Sequence, residues 1–280
     1  MVAPAFTRSS PCPARAAGTL SVSGVWQQYL TRETGRTPEQ HPDRDFKART
    51  WADILCNSQH AHRPIHLAVS LPLEQMLACQ FQSDARLPVR HYMDHLISEL
   101  QRVREALHHA ARLASVWVLG DALCWLSPAE LTELMFRVRR QFPSGRLPPP
   151  AFLELGHWPL QEGRLALAAG LGFTHVGLRR HLLDIHCKPV AAPLAEQILH
   201  DHGLIAVHLP DDPNLSGHVW LPDALYPADA TPLNTPMLGI GVGARSFLDQ
   251  HYADNQEQLD SYYLQLSQND LPIRSGGTWR

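Results

Sequence analysis

Ile65 to Phe81 reads IHLAVSLPLEQMLACQF, and its form decides the fold. Ile65 to Leu71 is a short apolar run stopped by Pro72, the signature of a strand buried on both faces. A Leu-Pro turn and a loop follow. Outward from this strand the chain alternates. Val89 to about Leu113 reads as an amphipathic helix, with Met93, Leu96, Ile97, Leu100, Val103 and Leu107 recurring at three and four. Ser115 to Leu119 is a second buried-type strand. Ser127-Pro128-Ala129-Glu130 starts a helix running to about Gln141: a Ser cap, Pro at the first helical position and an acid in the first turn. Ala151 to Leu155 is a third strand, Leu160 to Ala169 a helix, Thr174 to Leu178 a fourth strand. A helix from Pro193 to His202 ends at Gly203 before the strand LIAVHL. Strand–helix alternation of this kind implies parallel strands joined by right-handed crossovers. A Pro-rich excursion from Pro210 to Pro236, an apolar segment from Met237 to Val242 and a helix from Asn255 to Ser267 complete the pattern. A short helix from Phe46 to Asn57 leads in. Residues 1–48 read as an irregular extension and 49–280 as the folded domain.

Composition narrows the class. Of 280 residues, 44% are hydrophobic and 18% charged, as in soluble globular proteins. The net charge of -3 gives no electrostatic reason to expect nucleic acid. No apolar run is long enough for a membrane span. The five cysteines, Cys12, Cys56, Cys79, Cys124 and Cys187, are scattered and show neither disulfide-framework nor zinc spacing. Reduced thiols and a cytoplasmic location are expected. The N-terminal segment, which first meets an acid at Glu33, is Pro/Ala/Ser-rich and is not clearly amphipathic as a transit peptide would be.

Near the C-terminus, LGIGVGARSF is followed by HYADNQEQLDSYYLQL. A G-x-G strand (Gly239, Gly241), a small-residue turn, Tyr-Ala-x-Asn (Tyr252, Ala253, Asn255) and Leu-x-x-Tyr-Tyr (Leu259, Tyr262, Tyr263) stand here without a gap. With the helix from Leu126 to Met135 and the Leu-Gly-Phe turn at 171–173, these segments resemble the oxygen-independent coproporphyrinogen III oxidases. Those are radical S-adenosylmethionine enzymes of haem biosynthesis. The resemblance spans roughly residues 45–190 and 193–275, and it implies a partial or shortened (β/α) barrel of parallel strands.

The family's functional positions do not carry over. Its C-x3-C-x2-C loop holds a 4Fe–4S cluster through three thiolates. The matching positions here are Glu74, Ala78 and Phe81, and Cys79 alone cannot replace three ligands. The Gly-rich motif after the second strand, whose backbone meets the cofactor's amino group, is reduced to Gly120 in Leu119-Gly120-Asp121-Ala122-Leu123. After the third strand only Glu154 survives, in Glu154-Leu155-Gly156-His157. Gly241 stands in the retained G-x-G strand. After the fourth strand Gly-Val-Gln is replaced by Arg179-Arg180-His181. Gly120, Glu154 and Gly241 are therefore read as a vestigial S-adenosylmethionine site, with cluster and cofactor expected to be lost.

Arg179, Arg180 and His181 are candidate contacts for the carboxylates of a porphyrin, since guanidinium binds carboxylate in bidentate fashion. Asp121 with Glu154 forms a candidate acid–base pair, with His157 and His181 completing a remodelled mouth. His60, His62 and His66 alternate around the first strand, and His91 and His95 stand at i, i+4. The first group has no acidic or cysteine partner close in sequence and the second lacks a third ligand, so no metal is expected and half-buried or solvated histidines are the plainer reading. His108 and His109 point to different faces. Together these readings imply a pseudoenzyme of haem or tetrapyrrole metabolism, binding haem or a porphyrin or regulating an active paralogue. The alternatives are cluster-independent chemistry at the remodelled mouth, and an interaction scaffold that self-associates or pairs through exposed strand edges.

Overall fold

A computed structural model of the chain describes residues 40–58, 64–72, 86–107, 111–142, 148–157, 163–183, 192–208 and 236–279. The strands are β1 (Gln40–Pro42), β2 (Ile65–Ser70), β3 (Leu113–Leu119), β4 (Ala151–His157), β5 (Phe173–Leu183), β6 (Ile205–His208), β7 (Met237–Ile240), β8 (Arg245–Leu248), β9 (His251–Asn255) and β10 (Ile273–Trp279). The helices are α1 (Ala48–Asn57), α2 (Arg86–Ala106), α3 (Ala122–Trp125), α4 (Pro128–Gln141), α5 (Arg164–Gly170), α6 (Ala192–Asp201) and α7 (Leu259–Ser267).

All strands join one sheet in the order β1-β10-β9-β8-β7-β2-β3-β4-β5-β6. From β7 to β6 the pairing is parallel, as the alternating pattern requires. β8, β9, β10 and β1 extend the sheet antiparallel beyond β7. Among the described residues β1 and β6 form the two ends, so the sheet there is open, as in a partial barrel. The pairing of Gln40–Pro42 with β10, and the burial of Phe46 in the core, bring part of the expected 1–48 extension into the fold.

Strand geometry sends alternate side chains to opposite faces. On the helix-covered face Leu67, Val69, Val116, Val118, Leu153, Leu155, Val176, Leu238 and Ile240 pack against the helices, with Trp51, Leu55, Met93, Leu96, Leu100, Leu134 and Val138 from α1, α2 and α4. The opposite, inner face carries His66, Ala68 and Ser70 beside Ser115, Trp117 and Leu119, then Phe152 and Glu154, then His175 and Gly177.

Most elements keep their expected bounds. α4 starts with a full capping box: the Ser127 side chain accepts from Glu130 N–H, and the Glu130 carboxylate accepts from Ser127 N–H at 2.6 Å. Three differences bear on the site. α2 stops at Ala106 rather than Leu113, because the chain turns into the sheet and Arg112 O already accepts from Ile65 N–H at 2.8 Å. β5 runs to Leu183, so Arg179, Arg180 and His181 continue the strand rather than form a loop beyond it. His251–Asn255 is strand β9, and the last helix begins only at Leu259.

Candidate functional site

The C-terminal ends of β2, β3, β4 and β7 converge, and in a barrel of parallel strands this is the end where sites form. Gly120 follows β3 with φ 94°. A Cβ there would lie 1.9 Å from Leu71 O, so only glycine lets β3 pass this close to the end of β2. Its N–H donates to Glu154 Oε2 at 2.8 Å. Glu154, buried on β4, thus satisfies the backbone of the neighbouring strand end. Gly241 follows β7 with φ 98°, and a Cβ there would meet Ser70 O at 2.3 Å. All three surviving positions are engaged by the fold itself.

Asp121 adopts left-handed backbone (φ 62°) and caps α3 while buried. Ala122 and Leu123 enter the hydrophobic core. Together they make the end of β3 a packed helical turn.

Behind the mouth lies a polar knot that the sequence reading did not single out. Glu99 of α2 is 1% exposed. Its Oε2 accepts from Gly241 N–H at 2.7 Å and from the Tyr262 hydroxyl at 2.6 Å, and its Oε1 accepts from Asn255 Nδ2 at 2.5 Å. Asn255 Nδ2 also donates to Gly241 O at 2.9 Å. Next to it the Tyr92 hydroxyl donates to Ser70 O at 2.7 Å and accepts from Val242 N–H at 3.1 Å. Burial pushes the Glu99 carboxyl up to about 7, against the pull of its three donors. Burial, then the neighbouring Glu99, holds the Tyr262 hydroxyl well above the usual tyrosine range. One signal existed: Glu99 stands inside the apolar stripe of α2, between Leu96 and Leu100, where an acid needs buried partners.

Two further groups line the inner face. His66 Nδ1 lies 2.6 Å from Ser115 Oγ, which also accepts from Trp117 Nε1 at 2.5 Å, and the Trp117 and Phe152 rings stack with centroids 4.4 Å apart. Burial lowers the His66 imidazole to about 4, so it is neutral at physiological pH. His66 lies near the start of β2, away from the mouth. On β8 and β9, Arg245 Nη2 donates to Asp254 Oδ2 at 2.7 Å, and its Nε donates to Asp254 Oδ1. Ser275 Oγ donates to Asp254 Oδ2 at 3.1 Å, and the guanidinium sits 5.1 Å from the Tyr252 ring centroid.

Glu74, Ala78, Phe81, His60, His62, His108 and His109 lie outside the described residues. Arg179, Arg180 and His181 are placed by backbone on β5, and His157 ends β4 opposite Leu183. Among the described residues no three His, Cys, Asp or Glu side chains cluster as metal ligands, and no helix is long and apolar enough to cross a membrane.

No protein-family profile and no curated protein matches the chain. Its structure is similar to that of the coproporphyrinogen III oxidase HemN from Escherichia coli, described as a radical SAM enzyme. The TM-score is 0.60 at 14% identity, over 85% of this chain and 76% of that one. The chain therefore has an α/β fold of the radical SAM type, with an open, partial barrel. At the positions that the sequence resemblance assigns to a cluster, Glu74, Ala78 and Phe81 offer no thiolate, and Asp121 to Leu123, which it assigns to the approach of S-adenosylmethionine, form a packed turn.

Proposed function

We propose that the chain is a coproporphyrinogen-oxidase-like pseudoenzyme of haem or tetrapyrrole metabolism, working in the cytoplasm and performing no radical chemistry. One observation carries the reading. The mouth residues that survive, Gly120, Glu154 and Gly241, are those to which the fold gives another duty. The positions that have changed are those whose only duty would be to hold a cluster or cofactor. Selection for the scaffold without its chemistry leaves this pattern. Its role is then to bind a porphyrin, with Arg179, Arg180 and His181 toward the carboxylates, or to regulate an active paralogue.

Anaerobic reconstitution with iron and sulfide tests the loss of chemistry. No stoichiometric iron and no cluster absorbance are expected, and uptake of four irons per chain would overturn the reading. Titration with haem and with coproporphyrin III tests the ligand. A saturable spectral change is expected for at least one of them, and its absence would leave the paralogue role as the surviving form.

One observation favours a second reading, an interaction scaffold. β6 ends the sheet, and among the described residues it pairs with β5 alone. Ile205 on β6 and Leu194 on α6 are each 56% exposed. An apolar strand edge is a template for pairing with another chain.

A further inference from the structure

His91 and His95 lie one turn apart on α2, and their imidazoles meet edge to face with centroids 4.4 Å apart. Residues four apart share a helix face, the spacing by which helical histidine pairs chelate metals. His95 Nδ1 is 2.9 Å from His91 O. A carbonyl can only accept, so Nδ1 carries a proton and Nε2 is the nitrogen left to face a metal. A hydrogen bond from the far ring nitrogen to a backbone carbonyl is the arrangement that orients metal-ligating histidines. Tyr263 of α7 closes a triangle of rings, its centroid 4.5 Å from each imidazole. That packing limits the rotamers of both histidines before any ligand arrives. The neighbouring carboxylates of Asp94 and Glu133 are both bonded to Arg90, at 2.6 Å and 2.5 Å. His91 is exposed and His95 half-buried, so the pair is open to solvent.

From this geometry we infer that His91 and His95 form a surface site for one imidazole-preferring divalent transition ion (Zn2+, Ni2+ or Cu2+), with water completing the coordination. Two neutral nitrogen ligands select such ions over Mg2+ and Ca2+, which require oxygen donors. The site lies on the helix layer and is independent of the porphyrin reading. Bound metal would tie α2 at the point where α7 crosses it.

The test uses the full chain with Zn2+ and Ni2+, followed by calorimetric titration and thermal unfolding. The tightest site of the wild type is expected at one ion per chain. His91→Ala and His95→Ala should each weaken it by about tenfold or more. Tyr263→Phe, which keeps the ring and removes the hydroxyl, should leave it in place. Excess metal should raise the Tm of the wild type and not that of either alanine variant, because only the folded helix holds both nitrogens in register. Unchanged affinity and stoichiometry in both alanine variants would overturn the inference. Carbethoxylation of the wild type keeps it falsifiable if a variant fails to fold: Zn2+ should protect His91 and His95, and equal modification with and without Zn2+ counts against the site.

Discussion

The Tyr262 hydroxyl donates to Glu99 Oε2 at 2.6 Å inside the core, so α7 is fastened to α2 through a buried carboxylate. The same oxygen holds the Gly241 N–H and the other oxygen holds Asn255, so one side chain ties together two helices, a strand and the turn after β7. These contacts all donate to the carboxylate and favour its ionised form. Burial opposes them and prevails, leaving the group near 7.

This position has a consequence for stability against pH. Glu99 has a folded pKa of about 7, above its ordinary value of 4.5. The fold therefore binds more protons than the unfolded chain between those values, and this contribution is lost as pH rises through about 7. His66 runs the other way. Its folded pKa of about 4 lies below 6.5, so its contribution is present above 6.5 and is lost as pH falls toward 4. Each group has a slope of at most about 1.4 kcal/mol per pH unit, of opposite sign. From pH 4.5 to 6.5 the two offset, and wild-type stability is expected to be nearly flat. Glu99→Gln should leave stability rising with pH across this window, and His66→Gln should leave it falling. Urea unfolding at several pH values reads this directly, and parallel profiles in all three proteins would refute it.

The strand ends give a second prediction. Gly120→Ala must adopt φ 94° and place its Cβ against Leu71 O. The cost should be about 3 kcal/mol or more, seen as a lowered urea midpoint. Glu154→Ala leaves the Gly120 N–H without its acceptor and should cost about 1–3 kcal/mol, while Glu154→Gln, which keeps an acceptor, should cost less. Equal stability of Glu154→Ala and the wild type would mean that Glu154 is kept for some other duty, such as a ligand.

Much of this arrangement was legible from residue pattern. The capping box at Ser127 and Glu130 and the parallel core from β2 to β6 follow from local chemistry and alternation. α2 was read too long because Ala111 and Leu113 keep an apolar pattern beyond Ala106, where the helix ends. Whether such a pattern belongs to a helix or to a buried strand depends on the partner that its backbone finds. β8 and β9 escaped because they are only four and five residues long, and β10 because Gly276 and Gly277 interrupt its pattern. The residues quoted at the C-terminal motif proved informative in a different sense: Asn255 and Tyr262 are the partners of Glu99. The knot could not be assembled from sequence because Glu99 stands more than 140 positions from each of its partners.

Arg245 and Asp254 face each other directly across β8 and β9, buried and joined by two hydrogen bonds. Removing one partner leaves an uncompensated buried charge, so Arg245→Met should destabilise by about 3–5 kcal/mol. The double variant Arg245→Met/Asp254→Leu should recover a large part of that loss, because a buried pair is rarely worth its desolvation. A double-mutant cycle by urea unfolding measures the coupling, and simple additivity would show that the two charges do not act as a pair.

The last prediction concerns the open end of the sheet. β6 leaves an edge, and Ile205 presents a β-branched apolar side chain there with 56% exposure. Natural edge strands carry charge or proline to avoid pairing, and an exposed isoleucine does the opposite. If this edge serves an interface, the purified chain should self-associate at micromolar concentration in light scattering. Ile205→Lys should then give a monomer with Tm within a degree or two of the wild type, because an exposed side chain contributes little to the fold. A monomeric wild type would remove self-association and leave a different chain as the partner. A monomeric Ile205→Lys protein with a sharply lowered Tm would mean that Ile205 packs within its own fold, and the edge reading would fail.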